Sequence, residues 1–210
     1  MADTIKTRKE IDNTLLGHIN ALKGKLISIP LNEGKFAAKW FLDLLNLNEN
    51  HEKEQSLRSK IKVGLATKES LKSELGKVSK KNFPYNLKFG DIIHVNYGLG
   101  VGDELKDGHY AIILSRKGDM FLVAPLTSQE VDFEENTIVF EDLGLPNKDG
   151  VESKKSYVSF SQIRYIHNRR IEKINNLDKS FEGRVKLSPD DALEILNNFN
   201  KIIISGIEII

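Results

Sequence analysis

The chain has no cysteine, which removes disulfides, thiolate metal sites and a thiol nucleophile together and suits a reducing compartment. An excess of either sign of charge is missing as well. A formal net charge of +1 argues against gripping nucleic acid through bulk charge, although a local basic patch remains possible on a neutral whole. The N-terminal "MADTIKTRKEID" lacks the apolar core of about 7–15 residues that a secretory signal carries. The longest apolar stretch, "KIIISGIEII" at the other end, is too short and too interrupted to span a bilayer. A cytoplasmic protein with no membrane partner is expected. Metal ligands do not cluster either: the five histidines are scattered, none lies at i, i+4 to another, and no His-x-Glu or Asp-x-Asp group accompanies them. No Gly-x-Ser-x-Gly elbow for acyl hydrolysis is present.

What is there falls into two textures. Apolar positions Ile11, Leu15, Ile19, Leu22 and Leu26 recur at helical spacing, with Thr7 and Glu10 as a capping box. Pro30 interrupts. A second helix is expected from the cap Asn32 through Phe36, Trp40, Phe41, Leu44 and Leu45, and a third segment from Glu49 to Val78, with Gly64 as its weak point. After "SKKNFPYNLKFGD", where Pro84 and Gly90 mark a boundary, the runs become short and rich in Val, Ile and aromatics: "DIIHVNY", "HYAIILS", "MFLVAPLTS", "TIVF" and "SYVSFSQIRYI". Such lengths suit strands. "SRKGDM" is a tight hairpin centred on Gly118. Ser188, Pro189, Asp190 and Asp191 start a last helix with an apolar face of Ala192, Leu193, Leu196, Phe199 and Ile203. The expected domains are a helical extension over 1–80, a linker over 81–89 and a sheet or barrel domain over 90–210. Residues 1–80 hold 15 Lys and Arg against 10 Asp and Glu, leaving 16 against 20 for the remainder. The helical arm is therefore the basic half, with its lysines interleaved with glutamates as on a solvated helical surface.

Between the first two strand runs lies "NYGLGVGDELKDGHYAIIL". Its glycines do not lead into a helix, as a dinucleotide fingerprint requires, and no Gly-Lys-Ser or Gly-Lys-Thr follows, as a phosphate loop requires. A long glycine-rich connection between hairpin strands remains, with Asp103, Glu104, Asp107 and His109 concentrated at its distal end. Long loops in compact domains are commonly functional.

The blocks "FGDIIHVNYGLGVGDELKDGHYAIILS", "FLVAPLTSQ" and "SYVSFSQIRYIHNRRI", closed by a helix, resemble the PemK/MazF family of toxin endoribonucleases. That resemblance implies an α+β fold: a small SH3-like β-barrel with a C-terminal helix, here preceded by an N-terminal helical region. It further implies a homodimer that cuts single-stranded RNA, mRNA above all, selectively by sequence and without a metal or other cofactor, and that a cognate antitoxin protein restrains. In the family a Gly-Asp opens the first strand, a flexible loop ends near Gly-Ser-Glu, the second strand begins with Arg-Pro, the third ends in a Thr-Ser-like pair, and a later strand carries Gln-Ile-Arg. The stretch from Tyr97 to Gly108 then becomes a mobile flap over the RNA groove. Glu104 matches the loop glutamate and Thr127 the catalytic threonine. Gln162 and Arg164 match the Gln-Ile-Arg block, and Gly102, Asp103, Tyr110, Ser128 and Gln129 fall at substrate-binding positions. Where the family has its catalytic arginine, this chain has His109, followed by Tyr110.

Metal-free RNA cleavage needs a base for the ribose 2′-OH, an acid for the leaving 5′-oxygen, and donors around the phosphorane charge. Arginine supplies charge but stays protonated. Histidine, with an ordinary pKa near ~6.5, moves protons at neutral pH. The resemblance makes His109, Thr127 and Glu104 the expected catalytic set, and the Thr127 and Ser128 hydroxyls can donate to the phosphate. Each has a plainer reading: His109 as a strand-initial polar residue in a protein that has lost activity, Thr127 as a strand terminator, Arg164 as a structural pairing partner. His94 is expected on the outer face of a strand, and His167, Arg169 and Arg170 on a basic rim. The missing arginine leaves a second class open: an inactive binding module on the same barrel, in the manner of relatives that poison a topoisomerase. The helical arm is compatible with an extended RNA groove, with oligomerisation through Phe36, Trp40 and Phe41, or with an internal restraint.

Overall fold

The computed structural model describes residues 8–79, 84, 86–129, 138–146, 155–177 and 181–205, excepting the side chains of 8–12 and 202–205. Of the expected capping box, Thr7 and the Glu10 side chain lie outside the described residues, as does the Ile203 side chain. The chain divides into two compact units, Met1–Ser79 and Lys80–Ile210. No helix among the described residues is long and apolar enough to cross a membrane.

The first unit is helical: α1 (Arg8–Ser28), α2 (Leu31–Lys62) and α3 (Lys72–Val78). Pro30, not Asn32, is the cap of α2, since its fixed φ suits the entry to a helix. One turn on, a Cβ at Gly34 would lie 2.6 Å from the Leu26 carbonyl oxygen, so the α1–α2 approach requires glycine there. The expected break near Glu49 is absent. Ion pairs at i, i+4, Glu49 with Lys53 and Glu54 with Arg58, carry the helix through that polar stretch, and it ends at Lys62, just before Gly64, φ +76°. Of the expected α1 stripe, Leu15, Ile19 and Leu22 are exposed.

In the second unit, β1 (Asp91–Gly98), β2 (Asp107–Lys117) and β3 (Met120–Thr127) form an antiparallel meander. Gly118, φ +61°, turns β2 into β3 directly beside the Lys117–Met120 pair, as a two-residue hairpin with glycine at its first position does. The short strands β4 (Val139–Phe140), β5 (Ser156–Val158), β6 (Arg164–His167), β7 (Ile171–Glu172) and β8 (Val185–Lys186) complete the sheet. β3 pairs with β2 on one edge and with β6 and then β5 on the other, while β1 pairs with β2, β7 and β8. No ladder joins β6 to β7 among the described residues. The 3-10 turn Asn168–Arg170 joins them instead, so the ring β1-β2-β3-β6-β7 closes through the chain and not through hydrogen bonds. This is the expected small barrel in an incompletely laddered form.

Alternation along the strands sends side chains to two cores. Ile93, Val95, Tyr97, Ala111, Ile113, Phe121, Val123, Ile166 and Ile171 share one cluster. Ile92, Ile112, Ala124, Leu126, Val158 and Ile195 share the other, with Phe199 against it. The last helix, α4 (Pro189–Ser205), starts as expected. The Ser188 hydroxyl accepts from the Asp191 N–H at 3.1 Å and donates to the Asp191 carboxylate at 2.7 Å. Its buried stripe differs from expectation: Ile195 is fully buried, while Leu193 and Leu196 are exposed.

The Gly-Asp that opens β1 is structural. Gly90, φ +81°, donates to the Ile113 carbonyl and accepts from Leu187 N–H. Asp91, buried, accepts from Lys88 N–H at 2.8 Å and lies 3.6 Å from the buried Arg184 guanidinium.

Candidate active site at the end of the barrel

The end of β1, the start of β2, the end of β3 and the start of β6 meet at one end of the sheet, and cross-strand register fixes which side chains face together. Val95 pairs with His109, so His109 shares the face of Val95 and Tyr97. Ala111 pairs with Pro125; continued by two residues, that register sets Thr127 opposite His109 on the same face. Val123 pairs with Arg164, which adds Arg164. Tyr97, His109, Thr127 and Arg164 therefore line one face at one end of the barrel.

Tyr97 is the hub. Its ring, 3% exposed, meets the His109 ring edge-on at 6.3 Å between centroids. The Arg164 guanidinium lies 5.5 Å from the ring centroid, within cation–π range. Arg170 Nη1 donates to the Tyr97 carbonyl at 3.4 Å. Burial pushes the Tyr97 phenol above its ordinary range, with Arg164 pulling weakly the other way. Its hydroxyl has no hydrogen-bond partner among the described residues. Burial, and then the positive charge of Arg164, lower the proton affinity of Arg170. The sequence alone assigns Tyr97 to the end of a strand run and the start of the loop, and Arg170 only to a rim, because neither position carries a signal of its own until β6, the closing turn and β1 are brought together.

The loop is shorter than its glycines imply, since β1 runs to Gly98 and β2 begins at Asp107. Residues 99–106 are also tied down. The Glu104 carboxylate accepts from the Val101 N–H at 3.0 Å, and Glu104 N–H donates to the Val101 carbonyl. A Cβ on Gly100 would stand 2.8 Å from the Glu104 carbonyl oxygen. The Gln162 amide grips the loop twice: its oxygen accepts from Leu105 N–H at 2.9 Å, and its nitrogen donates to the Asp103 carbonyl at 2.8 Å. The same oxygen accepts from Arg164 Nη2 at 3.0 Å. Gln162 thus couples the loop to Arg164.

The remaining expected residues divide. Gly102, φ +60°, and Asp103 are exposed at the loop tip. Thr127 Oγ1 accepts from Gln129 N–H at 3.1 Å, which orients the hydroxyl in the turn that carries exposed Ser128 and Gln129. Tyr110 stands on the opposite face from His109. It packs against the other core and donates its hydroxyl to the Pro146 carbonyl at 2.8 Å, and burial raises its pKa. His94, half-buried, contacts Glu172 at 3.2 Å. It also covers Gly108 so closely that a Cβ there would meet the imidazole at 2.5 Å. His94 therefore supports the backbone that presents His109. Among the described residues, no three His, Asp or Glu side chains group as metal ligands.

A small barrel with one terminal helix and a basic, histidine-bearing end agrees with comparison to known proteins. The family model of the PemK-like, MazF-like toxin of type II toxin-antitoxin systems matches residues 88–202. The chain belongs to that family. Among solved structures it is similar to MazF (form I) from Deinococcus radiodurans, at 18% identity over 57% of this chain and 97% of that one, with a TM-score of 0.38. It is also similar to the MazE–MazF structure (form II) from the same organism, at 19% identity over 57% and 96%, with a TM-score of 0.34. No curated protein matches the chain.

Proposed function

We propose that this toxin-family protein is a metal-independent endoribonuclease that cuts single-stranded RNA in the cytoplasm, selectively by sequence. In this reading residues 90–210 are the catalytic domain, 81–89 a linker and 1–80 a helical extension. It works as a homodimer held in check by a cognate antitoxin, the kind of partner that the MazE–MazF structure contains. The observation that supports the reading is register: His109 pairs with Val95, Arg164 pairs with Val123, and the β2–β3 register continued two residues past Ala111–Pro125 sets Thr127 opposite His109.

The chemistry follows from those groups. His109 in its neutral form takes the proton from a ribose 2′-OH, the 2′-oxygen bonds to phosphorus, and the phosphorus–O5′ bond breaks. The His109 imidazolium returns that proton to O5′, leaving a 2′,3′-cyclic phosphate and a 5′-hydroxyl with no water consumed. Thr127 donates to a phosphate oxygen, and Arg164 stabilises the charge that grows there. Gln162 and Glu104 hold the loop that carries Gly102 and Asp103 against the strand, so their contribution is positioning.

The test is incubation of the purified protein with a long unstructured RNA in excess EDTA. Discrete fragments ending in cyclic phosphate, lost in both His109→Ala and Thr127→Ala, are expected. A second reading, an inactive binding module of the same family, is favoured by His109 standing where the family has arginine. RNA left intact by the folded wild-type protein, with retained RNA or protein binding, would select it.

A further inference from the structure

Tyr97 gathers three basic side chains, and one of them has no place in the mechanism above. Arg164 lies over the Tyr97 ring at 5.5 Å, and Arg170 reaches the Tyr97 backbone carbonyl at 3.4 Å from the closing turn. The two guanidiniums are close enough that Arg164 weakens the hold of Arg170 on its proton, and Arg170 is half-buried. Two guanidiniums gathered about one tyrosine concentrate positive charge at that end of the sheet, which attracts an anion. Arginine presents planar, paired donors that match two phosphate oxygens. The fork is also held in place from behind: Arg164 Nη2 donates to Gln162 Oε1 at 3.0 Å and Arg164 Nε to the Gln162 carbonyl at 3.4 Å. His109 packs on the other side of the same tyrosine at 6.3 Å.

We infer that Arg164 and Arg170 form a two-armed binding site for a backbone phosphate of the bound strand, with Arg170 supplying the permanent positive charge that His109 cannot. This rests on the proposed ribonuclease reading and deepens it. Proton transfer and permanent positive charge are then divided between His109 and Arg170.

The experiment measures two quantities on the full chain: cleavage of an unstructured RNA, and the salt dependence of binding to a 2′-O-methylated copy of that RNA, which cannot be cut. In Arg170→Met, cleavage is expected to fall by about 100-fold, as for loss of one transition-state donor. The slope of log affinity against log salt should shallow by about 0.7, the amount set by neutralising one phosphate fewer on a single strand. Arg170→Lys is expected to keep the slope but cleave more slowly than wild type, because it keeps the charge and loses the fork. Should Arg170→Met not fold, Arg170→Lys decides alone: slowed cleavage with an unchanged slope supports the assignment, and wild-type cleavage overturns it. A wild-type protein that cleaves while Arg170→Met cleaves equally well overturns the inference and leaves the ribonuclease reading standing. Wild-type binding without cleavage, weakened with a shallower slope in Arg170→Met, supports the phosphate site and sinks the ribonuclease reading. Absence of binding by wild type overturns both.

Discussion

Among the described residues of the helical unit, Trp40 and Leu57 are the large apolar side chains that reach burial, whereas the sheet unit encloses two clusters in which Ile92, Ile112, Phe121, Val123 and Ile195 have no exposed surface. The difference follows from geometry. A helical hairpin has one seam along which side chains interlock, and Leu15, Leu16, Ile19 and Leu45 fall outside it. A curled sheet has an inside and an outside, so each strand contributes to two packed layers. The side chains proposed for chemistry sit on the layer with the deeper enclosure. A site that must hold hydrogen-bond geometry to fractions of an ångström needs that support.

The sharpest way to break this comparison is to cut one buried side chain in each unit. Phe121→Ala should cost about 3–5 kcal/mol and abolish RNA cleavage with the loss of sheet structure by circular dichroism. Leu57→Ala should leave cleavage and the sheet signal intact and lower only helical content. If Leu57→Ala instead unfolds the sheet, the two units share a single cooperative transition. The lone tryptophan gives a second test, since Trp40 fluorescence reports on the helical unit alone. In urea its transition is expected before the loss of cleavage activity, and coincident midpoints would contradict the contrast between the units. Next in size comes Gly100→Ala, which forces the Glu104 backbone away from a 2.8 Å approach. Cleavage should drop by about ten-fold for a loop displaced by a fraction of an ångström, with the melting of both units unchanged.

The smallest effect concerns Tyr97. Its hydroxyl is buried without a partner among the described residues, so Tyr97→Phe should be neutral or slightly stabilising at pH 7 and keep cleavage. Alkaline pH separates the two proteins. The folded phenol resists ionisation, while the unfolded one loses its proton near ~10. The stability this group contributes is therefore fully present below that pH and is lost as pH rises above it, because the unfolded state then binds fewer protons. Tyr97→Phe should show a shallower alkaline decline in melting temperature. Equal declines would place the phenol in water.

Much of the sheet was legible because strand signals are local: β-branched runs of the right length, a glycine in the hairpin, and Ser188 with Pro189 at the head of α4. Family membership was legible for the same reason, since its blocks lie along β1, β2, β3 and β6. Two features were not. The apolar positions of α4 spread across a wide arc, from which periodicity alone does not tell whether Leu193 and Leu196 or Ile195 face inward; the docked stripe is Ala192, Ile195 and Phe199. Similarly, a polar stretch such as 49–62 reads as a weak helix until its i, i+4 ion pairs are counted. At the candidate site, the sequence order singled out His109 and Thr127. It could not reveal Arg170 beside Tyr97, because that meeting depends on a turn closing a ring between residues 73 positions apart.

Strand β3 has a reach beyond its own ladders. Along a single edge it is read twice, by β6 over residues 120–123 and by β5 over 126–127, while β2 reads the other edge. The arrangement works like a vernier, in which two scales must agree before either can be set. A slip by one residue would turn Thr127 to the opposite face, but it would have to break three ladders at once. Thr127 is thereby indexed against Arg164 and His109 by main-chain geometry alone. Drift can change the side chains on this face one by one without changing where they stand.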